Sequence, residues 1–127
     1  MDDELYLDNL IAEFLAEQSQ RQLRRSNPHA LFLIKALLPY RERGLHRKYV
    51  IDKVEQMEKE VGLPIAPKFE ETIQRTFQSY SSQAAGKKPK PEDDIFFWPL
   101  GKGKGQLAVH AHKVRRFLEN RGLAARH

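Results

Sequence analysis

"FFWPLGKGKGQLAV", residues Phe96 to Val109, is the stretch on which the fold turns. Three consecutive aromatics lead into five residues holding three glycines and two lysines, and an alternating apolar run follows. Two strand-like arms around a glycine-rich connection read as a β-hairpin, because glycine reaches the positive φ angles that such a connection requires. Leu107 and Val109 fall on one face of the second arm. Pro99 in the first arm implies an edge strand or a bulge, since proline cannot donate to a ladder. Phe96, Phe97 and Trp98 are expected to anchor the hairpin on a core, with Lys102 and Lys104 projecting from its tip.

On both sides of the hairpin the apolar period changes from two to 3.6 residues, the helical value. Residues 3–25 carry Leu7, Leu10, Ile11, Phe14 and Leu15 on one stripe, with acids early and Arg21, Arg24 and Arg25 late, as the helix dipole favours. Ser26, Asn27 and Pro28 break that helix. A second helix follows with Leu31, Ile34, Leu37 and Leu38 apolar, ending near Pro39 or at Gly44. A third is expected from about Leu45 to Val61, with Val50, Val54, Met57 and Val61 inward and Gly62 closing it. A fourth starts at about Pro67 and points Phe69, Ile73, Phe77 and Tyr80 to the core. Residues 81–94, rich in Gly, Pro and Lys, read as an exposed loop. After the hairpin, a short helix turns Val114, Phe117 and Leu118 inward and is capped by Gly122.

Helix, helix, helix, hairpin, helix is the order of a winged helix. The fold class expected is therefore mainly α with a β-hairpin, a winged helix-turn-helix with an extra N-terminal amphipathic helix. Residues 1–26 form that helix, a brace on the chain's own core or a dimerisation element. Residues 27–127 form the winged-helix domain, with the wing at about 94–110.

"IQRTFQSYSSQ", a lysine-rich loop and "DDIFFWPLGKGKGQLAVH" together resemble a winged-helix DNA-binding module of the kind attached to restriction-type endonucleases and other bacterial DNA-acting proteins. Ile73, Phe77, Gln78, Ser81, Ser82, Asp94, Ile95, Phe96, Gly101, Gly103 and Gly105 match that pattern in kind and order. Tyr80 stands where histidine is usual, Gln83 and Ala84 replace an Asp-Ser pair, Leu107 replaces a tryptophan and His110 an arginine. The resemblance implies a DNA-contacting part of a larger system.

Charge points the same way. Six of the 17 acids lie in residues 1–20, which hold no lysine or arginine. The remaining 11 acids face all 22 basic residues, so the body carries a balance of +11. A basic body is what a polyanion binder needs. On the fourth helix, the polar stripe of Lys68, Thr72, Arg75 and Ser79, with Gln78 beside it, is the candidate surface for a DNA groove. Arg75 suits guanine and Gln78 adenine, while Lys68, Thr72 and Ser79 suit phosphate or water-mediated contacts. Lys87, Lys88, Lys90, Lys102 and Lys104 form a phosphate-tracking set in glycine- or proline-rich backbone. His112, Arg115 and Arg116 extend it. Glu70 and Glu71 oppose a phosphate surface but suit a helix N-terminus.

Other chemistry finds little footing. The Gly-x-Gly-x-Gly spacing runs into a strand, unlike nucleotide-binding loops, which run into helices. His110 and His112 would need distant partners to hold zinc, so no metal or cofactor is expected. No catalytic constellation stands out, and the chain is not expected to be an enzyme. There is no cysteine, no apolar run approaching a membrane span, and an acidic start unlike a secretion signal, consistent with a reducing cytoplasm. The expected function is double-stranded DNA binding, in a small transcriptional regulator or a DNA-recognition subunit, with a homodimer formed through Leu7, Leu10, Ile11, Phe14 and Leu15. The alternative is a protein-interaction adaptor that docks a partner through the same helix. RNA is a third ligand compatible with the charge.

Overall fold

The structure, a computed structural model, describes residues 3–17 and 28–120. It is mainly helical, with a small antiparallel sheet. In chain order the elements are α1 (Asp3–Glu17), α2 (His29–Leu37), a 3-10 turn (Arg41–Arg43), β1 (Leu45–His46), α3 (Arg47–Glu60), α4 (Phe69–Ser79), a second 3-10 turn (Pro91–Asp93), β2 (Phe96–Phe97), β3 (Gln106–Val109) and α5 (Ala111–Asn120). The expected continuation of the first helix to residue 25, the break at Ser26 and Asn27, and the Gly122 cap lie outside the described residues.

α2 occupies the centre because it is apolar on nearly every side. Ala30 to Ile34, Ala36 and Leu37 are all buried, and α1, α3, α4 and β3 pack around them. A helix apolar all round can only be stable when it is enclosed. Its one charged residue, Lys35, reaches Asp8 of α1 at 3.0 Å. Leu7, Leu10 and Ile11 of α1 are buried in the same hydrophobic cluster as the rest of the chain, so α1 braces its own core. The side chains of Phe14 and Leu15 lie outside the described residues.

α3 departs from its sequence reading at both ends. Its first two expected residues, Leu45 and His46, are instead strand β1, paired antiparallel with Leu107 and Gln106 of β3. Gly44, at φ +80°, makes this possible: a Cβ there would lie 2.3 Å from the Leu107 carbonyl oxygen. Two residues are too few for a strand period to show in sequence. At the other end Val61 is exposed and Glu58 is buried, the reverse of the expected inward set. The helix stops at Glu60, and Gly62 (φ +81°) turns the chain back. The Gly62 N–H donates to the Lys59 carbonyl and the Leu63 N–H to that of Glu58, a Schellman closure that buries Leu63 in place of Val61.

β3 is the central strand, in the order β1-β3-β2, with Phe96 opposite Val109 and Phe97 opposite Ala108. Leu107, Ala108 and Val109 are all buried, so both of its faces are covered and the expected one-sided alternation is absent. β2 ends before Pro99. That proline instead follows Trp98 in a turn closed by the Gly101 N–H on the Trp98 carbonyl, the second turn position that proline favours. The connection to β3 continues through glycines 101, 103 and 105, all at positive φ.

Candidate functional site

Phe96 and Trp98 fasten the hairpin to α4 through ring contacts, whereas Phe97, expected to anchor with them, is half-buried and stacks on His110. Phe77 of α4 stacks on Phe96 (centroids 5.0 Å, 19° between planes) and meets Trp98 edge-on at 5.1 Å. Tyr80, the C-cap of α4, continues the set to Phe96 and to Phe117 of α5 at 6.4 and 5.4 Å. Backbone joins the same parts, since the Ile95 and Phe96 N–H groups both donate to the Tyr80 carbonyl. Residues 81–94, read as an exposed loop, are partly a structural splice. Ser81 and Ala84 are buried, Asp94 Oδ1 accepts from the Ser82 N–H at 2.8 Å, and Gln83 Oε1 accepts from the Trp98 N–H at 2.6 Å. Ring pairs of this geometry add about 0.5–1.5 kcal/mol each beyond the area they bury.

With α4 and the hairpin locked together, a groove of about 270 Å³ lies between them. Gln74, Phe77 and Gln78 of α4 form one wall, and Trp98, Lys102 and Gly103 of the glycine-rich turn form another. Arg47, the first residue of α3, stands at its side, and its N–H donates to the Gly105 carbonyl at 2.7 Å. Lys102 Nζ lies 6.0 Å from the Trp98 ring centre. Arg75 is exposed one residue from Gln74 and three from Gln78, hence on the neighbouring solvent face of the same helix. Lys68, at the N-cap of α4, and Lys104 are exposed.

The other expected contacts divide. Thr72 Oγ1 donates to the Lys68 carbonyl and Ser79 Oγ to that of Thr76, so these hydroxyl protons are committed to the helix. Lys88 Nζ donates to the Ala84 carbonyl at 2.8 Å, and Lys87 is exposed beside it. Lys90 belongs with a second, broader depression of about 980 Å³, lined by Lys113, Arg116, His112 and Asn120 together with Glu92 and Asp93. Arg115 lies 4.9 Å over the Tyr6 ring and so serves the α1–α5 contact. Glu70 and Glu71 are exposed in the first turn of α4, where Gln74 Nε2 reaches Glu70 at 3.4 Å.

Two features of this surface escaped sequence reading. Arg47 reads as one of several basic residues at a helix start, and only the pairing of β1 with β3 brings it to the turn. Gln74 sits between the two stripes that the periodicity picks out. A third constellation lies elsewhere: Glu42, His110 and His112 converge, each offering one ligand atom within 4.8 Å of the others. Burial pushes His110 below the usual histidine range, with the Lys113 ammonium adding to the effect and the Asp94 carboxylate opposing it.

No helix among the described residues is long and apolar enough to cross a membrane. Comparison of the chain with family models, with curated proteins and with solved structures returns no match.

Proposed function

We propose that the chain is a double-stranded DNA-binding protein of winged-helix type, with α4 as the reading helix and the glycine-rich turn as the wing. The observation that carries this reading is the groove between them, where Gln74 and Gln78 face Lys102 and Arg47. The element order supports it, because a strand between the first and second core helices that pairs with a C-terminal hairpin is the winged-helix arrangement. Gln78 and Arg75 have the hydrogen-bonding shapes that read adenine and guanine. In this reading Arg47 and Lys102, which line the groove, and the exposed Lys68 and Lys104 would hold phosphates. A small transcriptional regulator or the DNA-recognition subunit of a larger system fits a chain of this size and charge.

The adaptor reading drew on the apolar stripe of α1. Leu7, Leu10 and Ile11 are buried in the chain's own core, which removes them as a docking face for an adaptor and equally as the expected dimer interface. The DNA reading is therefore preferred, and any pairing of copies would use another surface. Selection from a randomised duplex pool, followed by anisotropy on the recovered sequences, tests it. An enriched motif is expected, and a palindromic one would indicate two copies bound together. Arg75→Ala should relax preference at one base position, a loss of about 1–3 kcal/mol in discrimination. Exchanging Lys102 and Lys104 for glutamate should weaken binding to all sequences alike. No binding at low salt would refute the reading.

A further inference from the structure

Sequence alone leaves His110 and His112 without partners for a metal. The fold supplies one from 68 residues upstream of His110: Glu42, in the turn between α2 and β1. We propose that Glu42, His110 and His112 form a binding site for a divalent transition-metal ion, zinc foremost.

The donor set suits the ion. Two imidazoles and one carboxylate, with positions left for water, is a ligand combination zinc accepts, and imidazole also suits copper and nickel. His112 Nδ1 lies 4.0 Å from Glu42 Oε2, and the two imidazole ring centres are 5.8 Å apart. Metal–ligand bonds of about 2.0–2.1 Å in a tetrahedral arrangement need neighbouring donors about 3.3 Å apart. The set must therefore close by about 1.5 Å at most, and two of its members are exposed enough to shift by that much. The His112 side chain is 73% exposed and that of Glu42 49%.

The neighbours orient the ligands, as supporting groups do at established metal sites. The Ala111 N–H donates to Glu42 Oε2 at 2.8 Å and points the carboxylate at the start of α5. Phe97 stacks on the His110 ring at 4.2 Å with 15° between planes, which fixes the imidazole plane. The nearby Lys113 ammonium is engaged by the carbonyl oxygens of Pro91 and Asp94 at 3.1 and 3.0 Å. An ordinary ion pair between exposed His112 and Glu42 would contribute at most about 1 kcal/mol and accounts for none of this convergence.

The three ligands come from two parts of the chain. A bound ion would tie the Arg41–Arg43 turn to the junction of β3 and α5. That junction lies the length of β3, about 15 Å of extended chain, from Gly105 and the glycine-rich turn. The site is therefore independent of the DNA reading.

The test uses the full chain, free of any affinity tag and stripped by chelator. It is titrated with zinc chloride by calorimetry, and with cobalt(II) by visible absorption. One ion per chain is expected, with a rise in melting temperature. His112→Ala and Glu42→Gln should each weaken uptake by about 100-fold or more, at least the loss seen on removing a mere supporting group. His46→Ala, which touches none of the three ligands, should leave uptake unchanged. Failure of the unaltered chain to bind, or equal uptake by His112→Ala, would overturn the proposal.

Discussion

Gly44 is the residue at which the sheet is most easily broken. A methyl group there would meet the Leu107 carbonyl oxygen and carbon at 2.3 and 3.0 Å, and the backbone sits at φ +80°. Both penalties act together, the left-handed strain and the collision with a backbone that cannot rotate away. Gly44→Ala should therefore cost on the order of 3 kcal/mol, read as a lowered urea midpoint with an unchanged slope. His29 is the second such residue. Its Nδ1 lies 2.6 Å from the carboxylate of Glu58, which is 1% exposed, and its ring packs edge-on against Phe69 at 5.9 Å. The contact links the first residues of α2 and α4 to α3. His29→Leu keeps most of the packing but leaves a buried carboxylate without its partner. A loss of about 2–4 kcal/mol is expected, again by urea unfolding. Neither residue announces itself in the sequence. Gly44 reads as one possible end of the second helix, and His29 lies just after a proline that marks a turn, with nothing local to point to its partner 29 positions on.

At the scale of elements, the long periodic segments were legible and the short ones were not. α4 and α5 follow their apolar stripes because each buries three large side chains on one face, which fixes the period, while α2 was legible as a nearly unbroken apolar run that must be enclosed. β1 was invisible, since its two residues are defined by a partner about sixty positions away rather than by any local pattern. The same non-local pairing hid Arg47 at the groove and Glu42 beside the histidines. Gln78 and Lys102 could be named from sequence because a helix face and a glycine-rich turn are local features. α1 gives the element-scale prediction. With Leu7 1% exposed and in the common cluster, α1 should melt together with the rest of the chain. Leu7→Ala should lower stability by about 2–5 kcal/mol in a single cooperative transition. A separate early transition would show instead that α1 is an independent unit.

For the whole molecule, the proposed DNA binding would be governed by the unequal distribution of charge. Of the acids in residues 1–20, Asp8 is exposed and paired with Lys35, while Arg47 and Lys102 line the groove and Lys68 and Lys104 are exposed at the N-cap of α4 and on the glycine-rich turn. If those four cations each neutralise one phosphate, the logarithm of affinity should fall with that of salt at a slope of about −3.6. Between 50 and 200 mM salt that is roughly a 150-fold loss. Exchanging Lys102 and Lys104 for glutamate should reduce the slope by about two, measured by anisotropy on a single duplex.

The lone tryptophan gives this surface an optical signature of its own. Trp98 is 8% exposed, lies against Phe77 and lines the groove beside Lys102. Its intrinsic fluorescence therefore senses the groove from within, with no dye attached and no second indole to dilute the signal. A duplex seated between α4 and the glycine-rich turn would alter that emission as it displaces water from the indole's rim. An ion held by Glu42, His110 and His112 would reach the indole only by way of Phe97, which stacks on His110, so the same light followed in two separate titrations reports on each ligand in turn.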